Sequence, residues 1–187
     1  MKTALLALTI ALTASMTLAA DDLVDNPAYK QWATCKAGSY VKLAMTTEMA
    51  EANMKATITM TLKEITAEQA VIEVATEMSM QGKTMSMPAQ TQTIKAKVPK
   101  DQAGPTAAPE GATVTKKGEG DEEITVGGKK YKCHWQELDL KGKAAAGTMK
   151  VWTAGEIPGG VVKSVMNSTA PAKSTMTMEL VEFKSAN

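Results

Sequence analysis

Four methionines occupy alternate positions on either side of a Gly-Lys pair: Met78, Met80, Met85 and Met87 flank Gly82-Lys83. If Gly82-Lys83 is the two-residue loop of a β-hairpin, Met80 faces Met85 and Met78 faces Met87. The four thioethers then share one face of the hairpin. Such a cluster is either an apolar wall or a site for a soft metal ion, since thioethers select Cu(I).

We rank a copper site formed by Met78, Met80, Met85 and Met87 below the apolar wall. No histidine or cysteine lies on the predicted hairpin, and later strands repeat methionine without the paired arrangement. We therefore expect no cofactor.

Methionine replaces other apolar residues along the whole chain, which has fourteen methionines and one phenylalanine. Methionine is flexible and polarizable, and suits surfaces that adapt to varied apolar ligands. The predicted ligand-binding wall is the set of apolar residues that share a strand face: Met54, Ile58, Met60, Ile72, Val74, Met78, Met80, Met176 and Met178. The alternative is that these residues form an ordinary packed core.

No group of residues predicts an enzyme. His134 is the only histidine, and it directly follows Cys133 on a predicted strand, where neighbours point to opposite faces and cannot form a nucleophile–base dyad. Glu73 and Glu77 alternate with apolar residues, as on a solvated strand face. We expect a protein without catalytic residues.

The charge composition argues against nucleic-acid partners. The chain has 21 basic and 20 acidic residues, and all of the basic residues are lysine. The planar guanidinium that grips phosphate or guanine in a bidentate manner is therefore absent.

The N-terminal residues resemble a secretory signal peptide. An apolar run from residue 4 to residue 18 follows Lys2 and ends in small residues, which predicts a signal peptide at 1–19 and a single β-rich domain at 20–187. Later segments are too short or too polar to span a bilayer. We expect a secreted or periplasmic protein, in which Cys35 and Cys133 form a disulfide or remain two separately buried thiols.

Hydrophobic periodicity predicts a mainly β fold. Asn26-Pro27 favours the start of a short helix that ends by Gly38. About nine strands with alternating apolar residues follow, with a bend near Pro88 and a long loop at 101–120 between the two halves. This pattern predicts a single curved antiparallel sheet, or open half-barrel, with one N-terminal helix.

Three segments of the C-terminal half carry a family resemblance: 122–133, which ends Tyr-Lys-Cys, then Lys150-Val151-Trp152, and 157–163, which reads Ile-Pro-Gly-Gly-Val-Val-Lys. They resemble uncharacterised secreted bacterial β-rich proteins. More remotely, the chain resembles periplasmic lipoprotein carriers and receptors, whose fold is a curved antiparallel sheet closed by helices over an apolar cavity. The resemblance implies this fold and assigns no functional residues.

Two functional hypotheses follow. The first is a non-enzymatic exported protein that binds an apolar or lipid-like ligand on the concave sheet face, in a cavity of several hundred cubic ångströms, as is typical of ligand sites. The second is a structural or protein-interaction module of the envelope, with a filled core and a partner-binding patch or sheet edge.

Overall fold

The structure is a computed structural model, and it describes residues 23–49, 53–80, 83–100, 113–142, 146–170 and 172–186. The backbone alone is described at Met80 and Ala170. The predicted signal peptide, Gly82 of the predicted hairpin turn and residues 101–112 of the predicted loop lie outside these ranges.

Within these ranges, the structure has one short helix and twelve strands. In chain order they are β1 (Leu23–Asp25), α1 (Pro27–Ala33), β2 (Tyr40–Met49), β3 (Asn53–Ile65), β4 (Gln69–Met80), β5 (Lys83–Ser86), β6 (Gln90–Lys95), β7 (Lys97–Pro99), β8 (Thr113–Val126), β9 (Lys129–Lys141), β10 (Ala146–Thr153), β11 (Val161–Ala170) and β12 (Ser174–Lys184). Within the described residues, no helix has the length and hydropathy that a membrane span needs.

Ten of the strands form one antiparallel sheet, in the order β5-β4-β3-β2-β12-β11-β10-β9-β8, with β6 also paired to β4. The last strand, β12, lies between β2 and β11, so it pairs with an early strand in the middle of the sheet. The outer strands are not paired with each other, and the sheet is open. The predicted fold class is confirmed.

The helix begins and ends as its residues predict. The side chain of Asn26 accepts a hydrogen bond from the Ala28 N–H at 3.0 Å, and Pro27 occupies the first turn. Trp32 is the buried residue of the helix. A seven-residue helix is too short to be stable alone, so its position depends on this side chain.

A single core cluster lies at the end of the sheet nearest the helix. It joins buried residues of α1, seven strands and the loop between β10 and β11: Trp32, Val41, Leu43, Leu62, Ala70, Ile72, Val126, Tyr131, Cys133, Ala154, Ile157, Val162 and Leu180. The first residues of β2 and the last residues of β12 belong to it, whereas the other ends of these strands do not.

The predicted register of the methionine hairpin is wrong. Met78 pairs with Met85, and Met80 pairs with Lys83, so Lys83 belongs to β5 and not to a turn. The shift is even, because each pairing moves by two residues, and the methionine positions therefore remain on one face. The bend near Pro88 is confirmed, since β4 pairs with β5 and β6 as two separate segments on either side of it.

Two further expectations need correction. Strand β8 already begins at Thr113 and pairs with β9 over its whole length, so the later part of the predicted loop 101–120 is a strand. Cys35 and Cys133 are free thiols and form no disulfide. Cys133 lies in the core with its thiol towards the Tyr131 carbonyl at 3.7 Å, and burial raises the pKa of both thiols. The alternative of separately buried thiols fits this arrangement.

Candidate functional site

The pairing of the strands collects methionines on one face of the sheet. Residues that pair directly across two antiparallel strands point to the same face, and residues two apart on one strand do so as well. By this rule, twelve methionines occupy positions of one face, which we call the methionine face: Met45, Met49, Met54, Met60, Met78, Met80, Met85, Met87, Met149, Met166, Met176 and Met178.

Eight of these methionines lie in two rows that cross the strands. The first row runs from β5 to β12: Met85, Met78, Ala56, Met45 and Met178. The second row runs from β3 to β10: Met54, Thr47, Met176, Met166 and Met149. Directly opposite residues have Cβ atoms about 4.5–5.5 Å apart, so each row is a continuous strip of side chains.

The opposite side of the sheet, which we call the charged face, carries the ionised residues. On β2, β4, β10, β11 and β12, every charged residue of the described chain occupies a position of this face: Lys42, Glu48, Glu73, Glu77, Lys150, Lys163, Glu179, Glu182 and Lys184. Lys163 and Glu179 pair across their strands at 2.7 Å. The methionine face of these five strands is therefore neutral, with serine and threonine as its polar residues.

Helix α1 contacts β3, β4 and β6, at the end of the sheet that holds the core cluster. At the other end, the methionines are half-buried or exposed, and Met85 and Met87 are 56% and 46% exposed. Exposed apolar side chains in a contiguous group are typical of interaction surfaces.

The nine residues of the predicted ligand wall all occupy positions of the methionine face. Their burial separates them into residues in or against the core cluster and residues outside it. Ile72 is 1% exposed and belongs to the core cluster, and Met60, Val74 and Met178 pack against it. Met54, Ile58, Met78 and Met176 are half-buried outside the core cluster, and the side chain of Met80 lies outside the described residues.

A groove of about 280 Å³ lies along β2, β3 and β4. Most of its lining residues belong to the charged face, among them Lys55 and Glu77, while Met45, Ala56 and Met78 come from the methionine face. Among the described residues, no group of three or more His, Cys, Asp or Glu side chains is placed to hold a metal ion.

A second cluster, which sequence patterns did not predict, lies on the charged face near the edge strand β8. The ammonium group of Lys150 lies 4.2 Å from the ring centre of Trp135 and 4.6 Å from that of Trp152. Lys150 also donates to Glu122 at 3.2 Å, and the indole N–H of Trp152 donates to the same carboxylate oxygen. These hydrogen bonds, from Trp152 and then Lys150, lower the pKa of Glu122.

Two glycines make room for this cluster. A Cβ at Gly120 would lie 3.1 Å from Nε1 of the Trp135 ring, and one at Gly118 would lie 3.3 Å from the same ring. The ring therefore covers the backbone of β8, and the cation–π contact and the ion pair hold it there. Lys150 thus contacts Trp135, Trp152 and Glu122, and the cluster joins β8, β9 and β10 on this face.

His134 is on the surface and lies between two carboxylates of β8. Its Nδ1 is 2.9 Å from Asp121 and its Nε2 is 3.4 Å from Glu119. The hydrogen bond with Asp121 is the main cause that raises the pKa of His134 above the usual 6.5. Since the folded state binds the proton more tightly, this contribution to stability is complete below the unfolded pKa and is lost as the pH rises through the folded one.

We expect the titration midpoint of His134 to lie above 6.5 and to fall towards that value in the Asp121→Asn variant, because the neutral amide no longer favours the imidazolium. His134 is the sole histidine, so its ring signals in a ¹H NMR titration need no assignment. An unchanged midpoint in Asp121→Asn would contradict the contact, and Glu123→Gln, at a carboxylate that pairs with Lys130, is the matched control.

Comparison with known proteins finds fold similarity only. No family model and no curated protein matches the chain. A protein with a YmcC-like fold from Bacteroides fragilis is similar at 9% identity, with 80% of this chain and 97% of that one covered and a TM-score of 0.47. A LolA superfamily protein from Nitrosomonas europaea is 8% identical over 86% of this chain and 91% of its own, with a TM-score of 0.30.

A DUF1329 family protein from Desulfovibrio piger is 10% identical, with coverage of 84% and 88% and a TM-score of 0.36. The predicted remote similarity to carrier-type proteins is confirmed, since a LolA superfamily member is among these structures. At this level of identity, what those proteins do says nothing about this chain.

Proposed function

We propose that the protein is an exported, non-enzymatic binding protein, secreted or periplasmic, that holds an apolar or amphipathic ligand with a lipid-like chain on its methionine face. The observation that carries the proposal is the separation of the two faces. Charged residues of five strands occupy one face, and the two methionine rows occupy the other.

The physical chemistry of methionine supports a ligand with a flexible chain. The thioether side chain has no fixed shape and adapts to irregular apolar surfaces, whereas a rigid wall of β-branched residues would select one shape. Burial of a methylene group contributes about 0.8 kcal/mol, so an alkyl chain along one row would gain several kcal/mol. The export signal expected at residues 1–19 supports a location outside the cytoplasm.

The test compares two neighbouring residues of β2 that point to opposite faces. Met45 lies in the first methionine row, and Thr46 lies on the charged face. We expect a fluorescent long-chain fatty acid to bind the purified protein saturably. In Met45→Gln the dissociation constant should rise about tenfold, since loss of one apolar contact costs at least ~1.4 kcal/mol. In Thr46→Gln it should stay unchanged.

The two variants also separate this proposal from the interaction-module hypothesis. That hypothesis predicts no saturable binding of the fatty acid by any variant. Equal weakening by Met45→Gln and Thr46→Gln would equally overturn a ligand site on the methionine face, because the effect would then not depend on the face.

A further inference from the structure

Three methionines that are distant in sequence become neighbours on adjacent strands. Met149 of β10 pairs directly with Met166 of β11, and Met166 pairs directly with Met176 of β12. We call these three residues the methionine triad. All three are half-buried, and Leu138, which follows Met149 in the same row, is 2% exposed. The triad is thus in the interior of a row and not at an edge of the sheet.

From this arrangement we propose that the methionine triad binds one Cu(I) ion through three thioether sulfurs. The Cβ atoms of each adjacent pair are about 5 Å apart. Each methionine has three rotatable bonds, and the sulfurs of Met149 and Met176 can turn towards that of Met166 from both sides. Thioethers are soft, neutral ligands that select Cu(I) over harder divalent ions.

The surroundings of the triad are compatible with a monovalent soft cation. The same-face positions two residues away on the three strands are neutral in the described chain: Gly147, Val151, Ser164, Ser168, Ser174 and Met178. The nearby charges, Lys150 and Lys163, lie on the charged face and pair with Glu122 and Glu179. At these six positions of the described chain, no ammonium group lies beside a bound cation.

The hairpin of Met78, Met80, Met85 and Met87 fits an ion less well. Of the two methionine pairs that the sequence predicted, neither forms, and Met80 is instead opposite Lys83. Met85 and Met87 are also largely exposed. A positive side chain beside the sulfurs disfavours a cation, and water competes for exposed ligands.

The test is an anaerobic titration of the whole protein with Cu(I) in competition with a chromophoric Cu(I) chelator, measured for single Met→Leu variants. Leucine keeps the apolar volume and removes the sulfur, so the fold should be retained. We expect one ion per chain at submicromolar affinity. In metal sites, loss of a side chain that only supports a ligand already lowers the metal affinity about tenfold. Loss of a ligand itself, as in Met166→Leu, should therefore lower the Cu(I) affinity at least tenfold.

Controls locate the ion. Met60→Leu, which replaces a methionine that packs against the core cluster, should leave the affinity unchanged. Binding weaker than micromolar in the parent protein overturns the proposal. So does binding that Met166→Leu leaves intact but Met78→Leu or Met85→Leu abolishes, because the ion then belongs to the hairpin. Fatty-acid binding and Cu(I) binding are measured separately on the parent protein, so failure of copper binding leaves the fatty-acid result independent.

Discussion

Replacement of Trp32 by alanine is expected to lower the free energy of unfolding by about 3–5 kcal/mol, the range typical of a buried aromatic residue changed to alanine. Trp32 is 3% exposed and is the buried residue of α1. Its ring lies against the backbone of the loop between β10 and β11, where a Cβ at Gly159 would be 2.9 Å from a ring carbon. One side chain therefore joins the helix to that loop and to the core.

Loss of that side chain should release the helix as well as leave a cavity, because seven residues do not form a stable helix alone. Typical domains are stable by only about 5–15 kcal/mol, so the midpoint of urea unfolding should fall sharply. Circular dichroism is the appropriate probe, since the variant lacks one tryptophan. Ala33→Ser, at an exposed position of the same helix, is the control, and similar midpoints for both variants would contradict the role of Trp32.

Local patterns predicted much of the sheet because alternation is a local property. The run of β3 from Met54 to Leu62 alternates between apolar and polar residues, and this alone assigns a strand and its two faces. Asn26 and Pro27 likewise mark the start of α1 without knowledge of any distant contact. Even the break between β5 and β6 has a local cause, since Pro88 cannot donate to a strand ladder.

Pairings between distant residues could not be predicted in this way. The strand β12 lies between β2 and β11, and the residues of β12 alone do not predict these neighbours. The first methionine row depends on this placement, because Met178 reaches Met45 only when β12 pairs with β2. The hairpin register was predicted wrongly for a related reason. The predicted and observed registers differ by two residues and keep the same faces, so the alternation pattern does not distinguish them.

The two ends of the sheet have different packing. At the helix end, Trp32, Leu62 and Ile72 are nearly inaccessible, and methionine is a minor component. At the other end the same face is built from flexible thioethers that remain half-buried or exposed. Tight packing by residues of defined shape specifies the fold, whereas methionine specifies shape poorly and adapts to a partner. Under the proposed function, the first end supplies stability and the second end binds the ligand.

Gly147→Ala is expected to destabilise the protein by about 3 kcal/mol, because the backbones of β10 and β11 approach too closely for any side chain at this position. An ideal Cβ there would lie 2.0 Å from the Asn167 carbonyl oxygen and 3.0 Å from the Ser168 Cα. These are backbone atoms of a paired strand, so no rotamer change relieves the overlap. The two strands must separate next to the pair formed by Met149 and Met166.

Thermal and urea unfolding of Gly147→Ala measure this cost, with Gly155→Ala as the matched control. Gly155 is exposed, and a Cβ there meets no atom within 4 Å. The control should change stability by no more than about 0.5 kcal/mol. If Gly147→Ala unfolds like the parent, the close approach of β10 to β11 is wrong. If it is destabilised as expected, the same contact that excludes a side chain at Gly147 is what holds two of the three methionines of the triad side by side.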